Sequence, residues 1–270
     1  MNSEFESMAD HDKHVAIIVG AGAVENAWNP ILDAFRMAFR TEVDIDAANC
    51  IFARHVYLLR FYSKFPNPSG FDTLKTQIEA VNLLKEIVCN QLDNAQNAGI
   101  LKPRKEFADI LKRFAFNNMF GFVSTNWDTV IDREADRLVK QVYKDIDSAK
   151  CFNIHGSIET PNDLYLPSET AQENYRTDAE NEEFGLNHYL TIQFLKKAHQ
   201  ILLYGLSLDP LDAELSQLLN SVFSKSEVLK EVIIINPDYA KVRNRLTLLL
   251  FPRTDIKVIC YKPNNLNVAL

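Results

Sequence analysis

Polar residues that could do chemistry follow several short apolar runs in this sequence. The densest group is Ser124-Thr125-Asn126-Trp127-Asp128, which offers an amide, a carboxylate and two hydroxyls at the end of the predicted strand 122–124. Polar groups beside a core are costly unless they find partners. A helix cap needs one such residue, so we favour function over a plain cap. We therefore take Thr125, Asn126 and Asp128 as candidate functional residues.

One histidine occupies a comparable place. His155 ends the apolar run 151–154 and precedes Gly156, and imidazole changes its protonation state near neutral pH. General acid–base catalysis is therefore open to His155, and a structural histidine is the alternative. We assign no role to the remaining histidines, which lie near the N-terminus or on predicted helices: His11, His14, His55, His188 and His199.

A glycine turn follows the first apolar run. Gly20-Ala21-Gly22-Ala23 comes after the run 15–19, where backbone N–H groups at a helix start can hold a phosphate. A tight turn without a ligand is the alternative. Glu25 stands where the dinucleotide fingerprint needs its third glycine, which disfavours a dehydrogenase.

Two later runs end in a similar way. Gly205 and Ser207 follow the run 201–204, and Asn236 follows the run 232–235. The turn at Gly205 offers the Ser207 hydroxyl to a phosphate or a ribose, with a helix cap as the alternative. For Asn236 taken alone, a plain strand-ending turn is the favoured interpretation. All of the candidate residues share one position, the carboxyl end of a predicted strand.

The elements that position them are predicted from hydrophobic patterning. Short apolar runs predict buried strands, and apolar residues spaced by three or four predict amphipathic helices. The strands are 15–19, 122–124, 151–154, 201–204, 232–235 and 256–260; the helices include 73–92, 105–115, 129–143, 187–199, 212–223 and 239–250, with a polar loop over 167–183. Their alternation indicates an α/β fold with a Rossmann-like parallel sheet and helices on both faces. Such sheets bind ligands at the carboxyl ends of their strands.

The chain is predicted to form a single domain over residues 1–270. Its core comprises residues 15–28 and 118–270, and residues 29–117 form a large helical insertion. Residues 1–14 are polar and are expected to be a flexible arm.

Composition excludes several function classes. The chain has 270 residues and a net charge of −7, which disfavours direct binding to nucleic acid. No apolar run approaches the ~18 residues of a membrane span, and the acidic start lacks a secretory pattern. The cysteines, at positions 50, 89, 151 and 260, form no CxxC pair, so we expect a cytoplasmic protein without a zinc module.

Taken in order, these segments resemble the sirtuin, or silent information regulator two, family. That family has GAG after the first strand, T-x-N-x-D after a later one, then HG, then G-x-S, then an asparagine at a strand end. The matching residues are Gly20-Ala21-Gly22, Thr125-Asn126-Trp127-Asp128, His155-Gly156, Gly205-Leu206-Ser207 and Asn236, within residues 15–28 and 118–260. The paired CxxC zinc module and the G-I-P-x-F-R loop of the protein deacylases are missing.

The resemblance implies an NAD hydrolase of bacterial anti-phage defence. Such an enzyme cleaves the nicotinamide–ribose bond of NAD, its substrate, and needs no metal. The resemblance makes Asn126, His155 and Asp128 catalytic. It also implies NAD contacts from Gly20, Ala21, Gly22, Ala23, Thr125, Gly205, Ser207 and Asn236.

The resemblance also implies control by assembly. The GAGAVENAW and STNWD segments are similar to the kind that pairs with a HerA-type hexameric ATPase, with a short Argonaute as the alternative partner. A homo-oligomer is expected, with the helical insertion as its assembly surface. The rival functions are an NAD-dependent deacylase or ADP-ribosyltransferase, and a non-catalytic sensor of NAD or ADP-ribose.

Overall fold

The computed structural model describes residues 13–65, 68–144, 148–149 and 151–269, which adopt an α/β fold. The strands are β1 (His14–Val19), β2 (Val24–Glu25), β3 (Lys102–Pro103), β4 (Met119–Ser124), β5 (Cys151–Asn153), β6 (Gln200–Tyr204), β7 (Glu231–Ile235) and β8 (Lys257–Tyr261). Six of them form a parallel sheet in the order β5-β4-β1-β6-β7-β8. Strands β2 and β3 form a separate antiparallel pair.

Helices cover both faces of the parallel sheet. They are α1 (Asn29–Phe39), α2 (Ile45–Tyr62), α3 (Pro68–Asn97), α4 (Phe107–Phe114), α5 (Val130–Val142), α6 (Asp178–Lys196), α7 (Ala213–Lys225) and α8 (Tyr239–Leu250). The predicted fold class is confirmed.

Alternation along the strands explains the unbroken apolar runs. In β1, Val15, Ile17 and Val19 face a core shared with helices α1–α5. Ala16 and Ile18 face a second core, shared with helices α6–α8. Because successive side chains point to opposite faces, a strand covered on both faces must be apolar at every position.

The helical insertion packs on one face of the sheet. Phe35 of α1, Phe52 of α2 and Leu92 of α3 belong to the same buried cluster as Ile17 of β1. The pairing of β3 with β2 returns the insertion to the glycine turn that follows β1. The insertion is therefore continuous with the core of the sheet. Residues 1–12 of the predicted arm lie outside the described residues, and His14, the last arm residue, already belongs to β1.

The predicted polar loop over 167–183 is wrong in its last part. Helix α6 begins at Asp178, although its first turns are polar and exposed. A capping box starts it: the Thr177 hydroxyl accepts from the Glu180 amide at 3.3 Å, and the Glu180 carboxylate accepts from the Thr177 amide at 2.7 Å. Thr-x-x-Glu is a readable start signal. The helix also stops at Lys196, because the chain turns over the next residues to enter β6.

Two properties of the described residues concern membranes and metal ions. No helix among them combines the length and the apolar composition of a membrane span. They also contain no group of three or more His, Cys, Asp or Glu side chains placed to hold a metal ion.

Candidate functional site

A cavity of about 920 Å³ lies at the carboxyl end of the parallel strands. Its walls include every candidate residue from the sequence except Ala23: Gly20, Ala21, Gly22, Thr125, Asn126, Asp128, His155, Gly205, Ser207 and Asn236. Ala23 lies behind the wall, fully buried in the core. The volume falls at the upper end of the ~300–1,000 Å³ typical of ligand cavities.

The glycine turn after β1 is built against the turn after β6. The Gly20 amide donates to the Tyr204 carbonyl at 3.0 Å, and the Gly22 amide donates to the Gly205 carbonyl at 2.9 Å. A Cβ on Gly22 would lie 2.8 Å from the Gly205 carbonyl oxygen, and Gly205 has a φ of +67°. The contact between the two turns therefore requires glycine at both positions, with or without a ligand. The Ala23 amide is also committed, to the Gly20 carbonyl at 2.9 Å.

A guanidinium stands beside this turn. Arg104, the residue after β3, donates from Nε to the Gly22 carbonyl at 2.7 Å, and its amide donates to the Ala23 carbonyl at 3.0 Å. Arg104 also lines the cavity, so the insertion places a positive charge next to the glycine turn. The sequence holds no signal for this contact, because 82 residues separate Arg104 from Gly22.

Asn126 is the most unusual polar residue of the site. Its side chain is buried on the cavity wall, and the residue is only 4% exposed. Neither Oδ1 nor Nδ2 has a hydrogen-bond partner among the described residues. Its backbone amide donates to the Ser124 hydroxyl at 3.1 Å, which holds the turn in place. A buried amide with a free donor and a free acceptor is a ready contact for a polar ligand.

Asp128 combines a capping contact with an exceptional pKa. Its Oδ1 accepts from the Val130 amide at 3.0 Å, so it satisfies the first turn of α5 as a capping residue would. Burial nevertheless raises its pKa to about 6, because a carboxylate loses hydration there. Asp128 therefore titrates close to neutrality while it lines the cavity.

His155 is held on both ring nitrogens. Nδ1 lies 3.2 Å from the Thr125 carbonyl oxygen, and Nε2 lies 3.2 Å from Oδ1 of Asp212. Burial alone would lower its pKa, but the Asp212 charge and these acceptors outweigh burial, and the pKa of His155 is raised. Two acceptors favour the imidazolium, which is the one form of the ring with a proton on each nitrogen. The adjacent Gly156 has a φ of +72°, and a Cβ there would collide with the Asp163 carbonyl.

A second acid–histidine pair uses Glu214, two residues after Asp212. His188 of α6 places Nδ1 2.7 Å from Oε1 of Glu214, and its Nε2 lies 3.2 Å from the Ile154 carbonyl oxygen. Oε2 of Glu214 accepts from the Ala171 amide at 2.9 Å. The start of α7 therefore presents two carboxylates, Asp212 and Glu214, to two histidines.

The remaining sequence candidates follow β6 and β7. Ser207 lines the cavity, and its carbonyl accepts from Arg245 at 2.9 Å. The amide of Asn236 is committed to the protein: Nδ2 donates to the Leu206 carbonyl at 2.7 Å, and Oδ1 accepts from the Asp238 amide at 2.8 Å. Asn236 therefore ties the turn after β6 to the end of β7, unlike Asn126.

The segment 164–169 closes one side of the cavity and is tied to the insertion. Arg60 of α2 donates to the Ser168 carbonyl at 2.6 Å, and it also pairs with the buried carboxylate of Glu173. The Tyr165 carbonyl accepts from the Trp127 indole at 3.1 Å. This segment therefore links α2 to the turn that carries Asn126.

The insertion also forms part of the cavity wall. Ile31 of α1, Asn49 of α2 and Leu92 of α3 all line it. Gln96 of α3 accepts from the Thr129 amide at 3.0 Å and so braces the turn after β4. Removing the insertion would therefore open the site as well as remove a surface.

The sequence did not identify Asp212, Glu214 or Arg104 as site residues. The local pattern at Asp212 is that of a helix cap, and Asp212 does accept from the Leu215 amide at 3.1 Å. Its second role depends on His155, 57 positions earlier in the chain, and no local pattern reports such a contact. Comparisons of the chain with protein-family models, curated proteins and solved structures found no match.

Proposed function

We propose that this chain hydrolyses NAD at the nicotinamide–ribose bond, releasing nicotinamide and ADP-ribose. The observation that carries this proposal is the free donor and acceptor of Asn126, buried on the wall of a cavity large enough for a dinucleotide. Vicinal ribose hydroxyls, which both donate and accept, match that amide. Asp128 and His155 line the same cavity, where they can act on the same sugar.

The reaction makes modest demands on such a site. Nicotinamide is a cationic pyridinium in NAD and leaves as a neutral molecule, so the leaving group needs no general acid. The site must stabilise positive charge on the ribose and position a water molecule. Asp128, with a pKa of about 6, is mainly ionised at neutral pH and supplies negative charge. Asn126 orients the ribose and the water, and His155 takes a proton.

The charge beside the glycine turn supports a phosphate-bearing substrate. Arg104 brings a guanidinium to the glycine turn in a protein whose net charge is −7. A pyrophosphate seated there would gain a charge-assisted contact that a nucleoside lacks. Ser207 and the end of β7 also line the cavity, and we propose that they contact the adenosine half.

The proposed biological setting follows from the order of the sequence motifs. We place the chain among sirtuin-like NAD hydrolases of anti-phage defence, acting in the cytoplasm, with homo-oligomerisation and a HerA-type ATPase as its controls. The insertion offers a surface for assembly: Tyr57, Phe61 and Phe65 of the α2 region are exposed and form a ladder of ring contacts at 6.1 and 4.7 Å.

The test is nicotinamide release from NAD by the purified chain, alone and with a HerA-type ATPase added. Asn126→Ala is expected to abolish release. Asn220→Ala, the same chemical change at an exposed position of α7, serves as the matched control and should keep full activity. Intact NAD under both conditions, or equal release by both variants, would refute the proposal. Release that requires an acyl-peptide would indicate a deacylase instead.

A further inference from the structure

We propose that Asp212 is the positioning residue for His155, holding Nε2 so that Nδ1 is the nitrogen that exchanges a proton with the substrate. This inference rests on the proposed hydrolysis and adds to it a residue and an atom. It starts from the two contacts of His155, one to a charged group and one to a neutral carbonyl.

The two contacts differ in how easily a ligand replaces them. The bond from Nε2 to Asp212 is charge-assisted, whereas the bond from Nδ1 goes to the backbone carbonyl of Thr125. Thr125 lines the cavity, so a ribose hydroxyl or water can take the place of its carbonyl. Asp212 then keeps the ring in one orientation and stabilises the imidazolium that forms.

The proton and bond changes balance in one step. A water oxygen bonds to C1′ of the ribose, and a proton of that water passes to Nδ1 of His155. The bond between C1′ and the pyridinium nitrogen breaks, and its electron pair remains on the departing nicotinamide. His155 must therefore be neutral beforehand, with its remaining proton on Nε2 and directed at Asp212.

This requirement predicts how rate depends on pH. The titratable groups that face His155 are Asp212 and Glu214 from the start of α7, with the Tyr165 ring stacked at 6.0 Å. Both carboxylates favour the imidazolium, so the pKa of His155 lies above its ordinary value near 6.5. Below that pKa Nδ1 carries a proton, so activity should rise as pH rises through it.

Two substitutions separate this role from helix capping. Asp212 also accepts from the Leu215 amide as the N-cap of α7. Asn and Ser are both good N-caps, so Asp212→Asn keeps the cap and removes the charge, and Asp212→Ser keeps the cap and loses reach to His155. Glu214 lies on the same turn, but its carboxylate contacts His188 and not His155. Glu214→Gln therefore removes one charge from the same turn without removing a contact of His155, and it is the matched control.

The experiment measures His155 titration by NMR and the pH dependence of NAD turnover in each variant. We expect Asp212→Asn to lower the pKa of His155 and to move the acid limb of kcat/KM to lower pH. Asp212→Ser should also lower kcat by roughly 10²-fold, the cost of a misplaced catalytic group. Glu214→Gln should shift both values much less.

Each outcome decides a separate point. An unchanged His155 titration in Asp212→Asn would overturn the pairing. A lowered pKa with an unmoved acid limb and full turnover would overturn the role in the reaction. If the wild-type chain leaves NAD intact even with a HerA-type ATPase, the proposed function fails. The reaction role of Asp212 fails with it, and the NMR titration still decides the pairing.

Discussion

Replacing Asn126 by alanine should make the ligand-free protein more stable, although it should abolish ligand binding. Each buried polar group without a partner costs about 1–3 kcal/mol of folding free energy. Asn126 carries two such groups, Oδ1 and Nδ2. Alanine removes both, and the space it leaves adjoins a cavity that is already present. We therefore expect a gain of about 1–2 kcal/mol, the group penalty less some lost packing.

Asn236 provides the opposite case at the same cavity. Its amide bonds the Leu206 carbonyl and the Asp238 amide, so Asn236→Ala leaves both without that partner. The expected effect is a loss of about 1–3 kcal/mol. The two substitutions are chemically identical, both residues line the cavity, and the sign of the effect depends on hydrogen bonding alone.

Thermal unfolding with and without ADP-ribose is the assay. For a domain of this size about 1 kcal/mol corresponds to roughly 2–4 °C in Tm, so the two variants should move in opposite directions. ADP-ribose should raise the Tm of the wild-type protein by an amount that grows with the logarithm of its concentration relative to its Kd, and it should barely change the Tm of Asn126→Ala. Equal destabilisation by the two variants would show that the Asn126 amide is already paired in solution, and the argument for a ligand contact would collapse.

Three further predictions test the frame around the cavity. Gly205→Ala should destabilise strongly, by about 2–4 kcal/mol in chemical denaturation, because of its positive φ and the apposed glycine turn. Gly185→Ala on α6, where the added Cβ would make only an ordinary 3.5 Å contact with the Gln172 side chain, should stabilise by about 0.5–1 kcal/mol. The folded pKa of Asp128 is raised to about 6, so the free energy of unfolding of the wild-type protein should fall as pH rises from 4 to 6, by up to roughly 3 kcal/mol relative to Asp128→Asn. A difference between the two proteins that does not change with pH would contradict this. Arg60→Met leaves the buried Glu173 carboxylate without the Arg60 cation, so amide hydrogen exchange over residues 164–173 should become faster. Unchanged exchange rates there would show that the order of this segment does not depend on α2.

The sequence predicted most of the helices and strands. The apolar runs predicted the six strands of the parallel sheet within a few residues, because a strand buried on both faces needs apolar side chains throughout. Hydrophobic spacing does not mark the start of α6, because the first turns of that helix are exposed and polar. Thr177 and Glu180 signal the start instead. Strands β2 and β3 are too short to show a pattern.

The candidate site was also predictable only in part. The pattern of the sequence indicates which polar side chains follow strands, and parallel strands bring their carboxyl ends to one edge, so Asn126, Asp128 and His155 meet at one cavity. The hydrogen bonds of those side chains, in contrast, depend on the folded arrangement. The fold leaves the Asn126 side chain without a hydrogen-bond partner among the described residues, commits the Asn236 side chain to the backbone, and places Asp212 on His155. The reason is physical: strand position follows from local pattern, whereas a hydrogen bond depends on distances between groups that the chain brings together only when it folds.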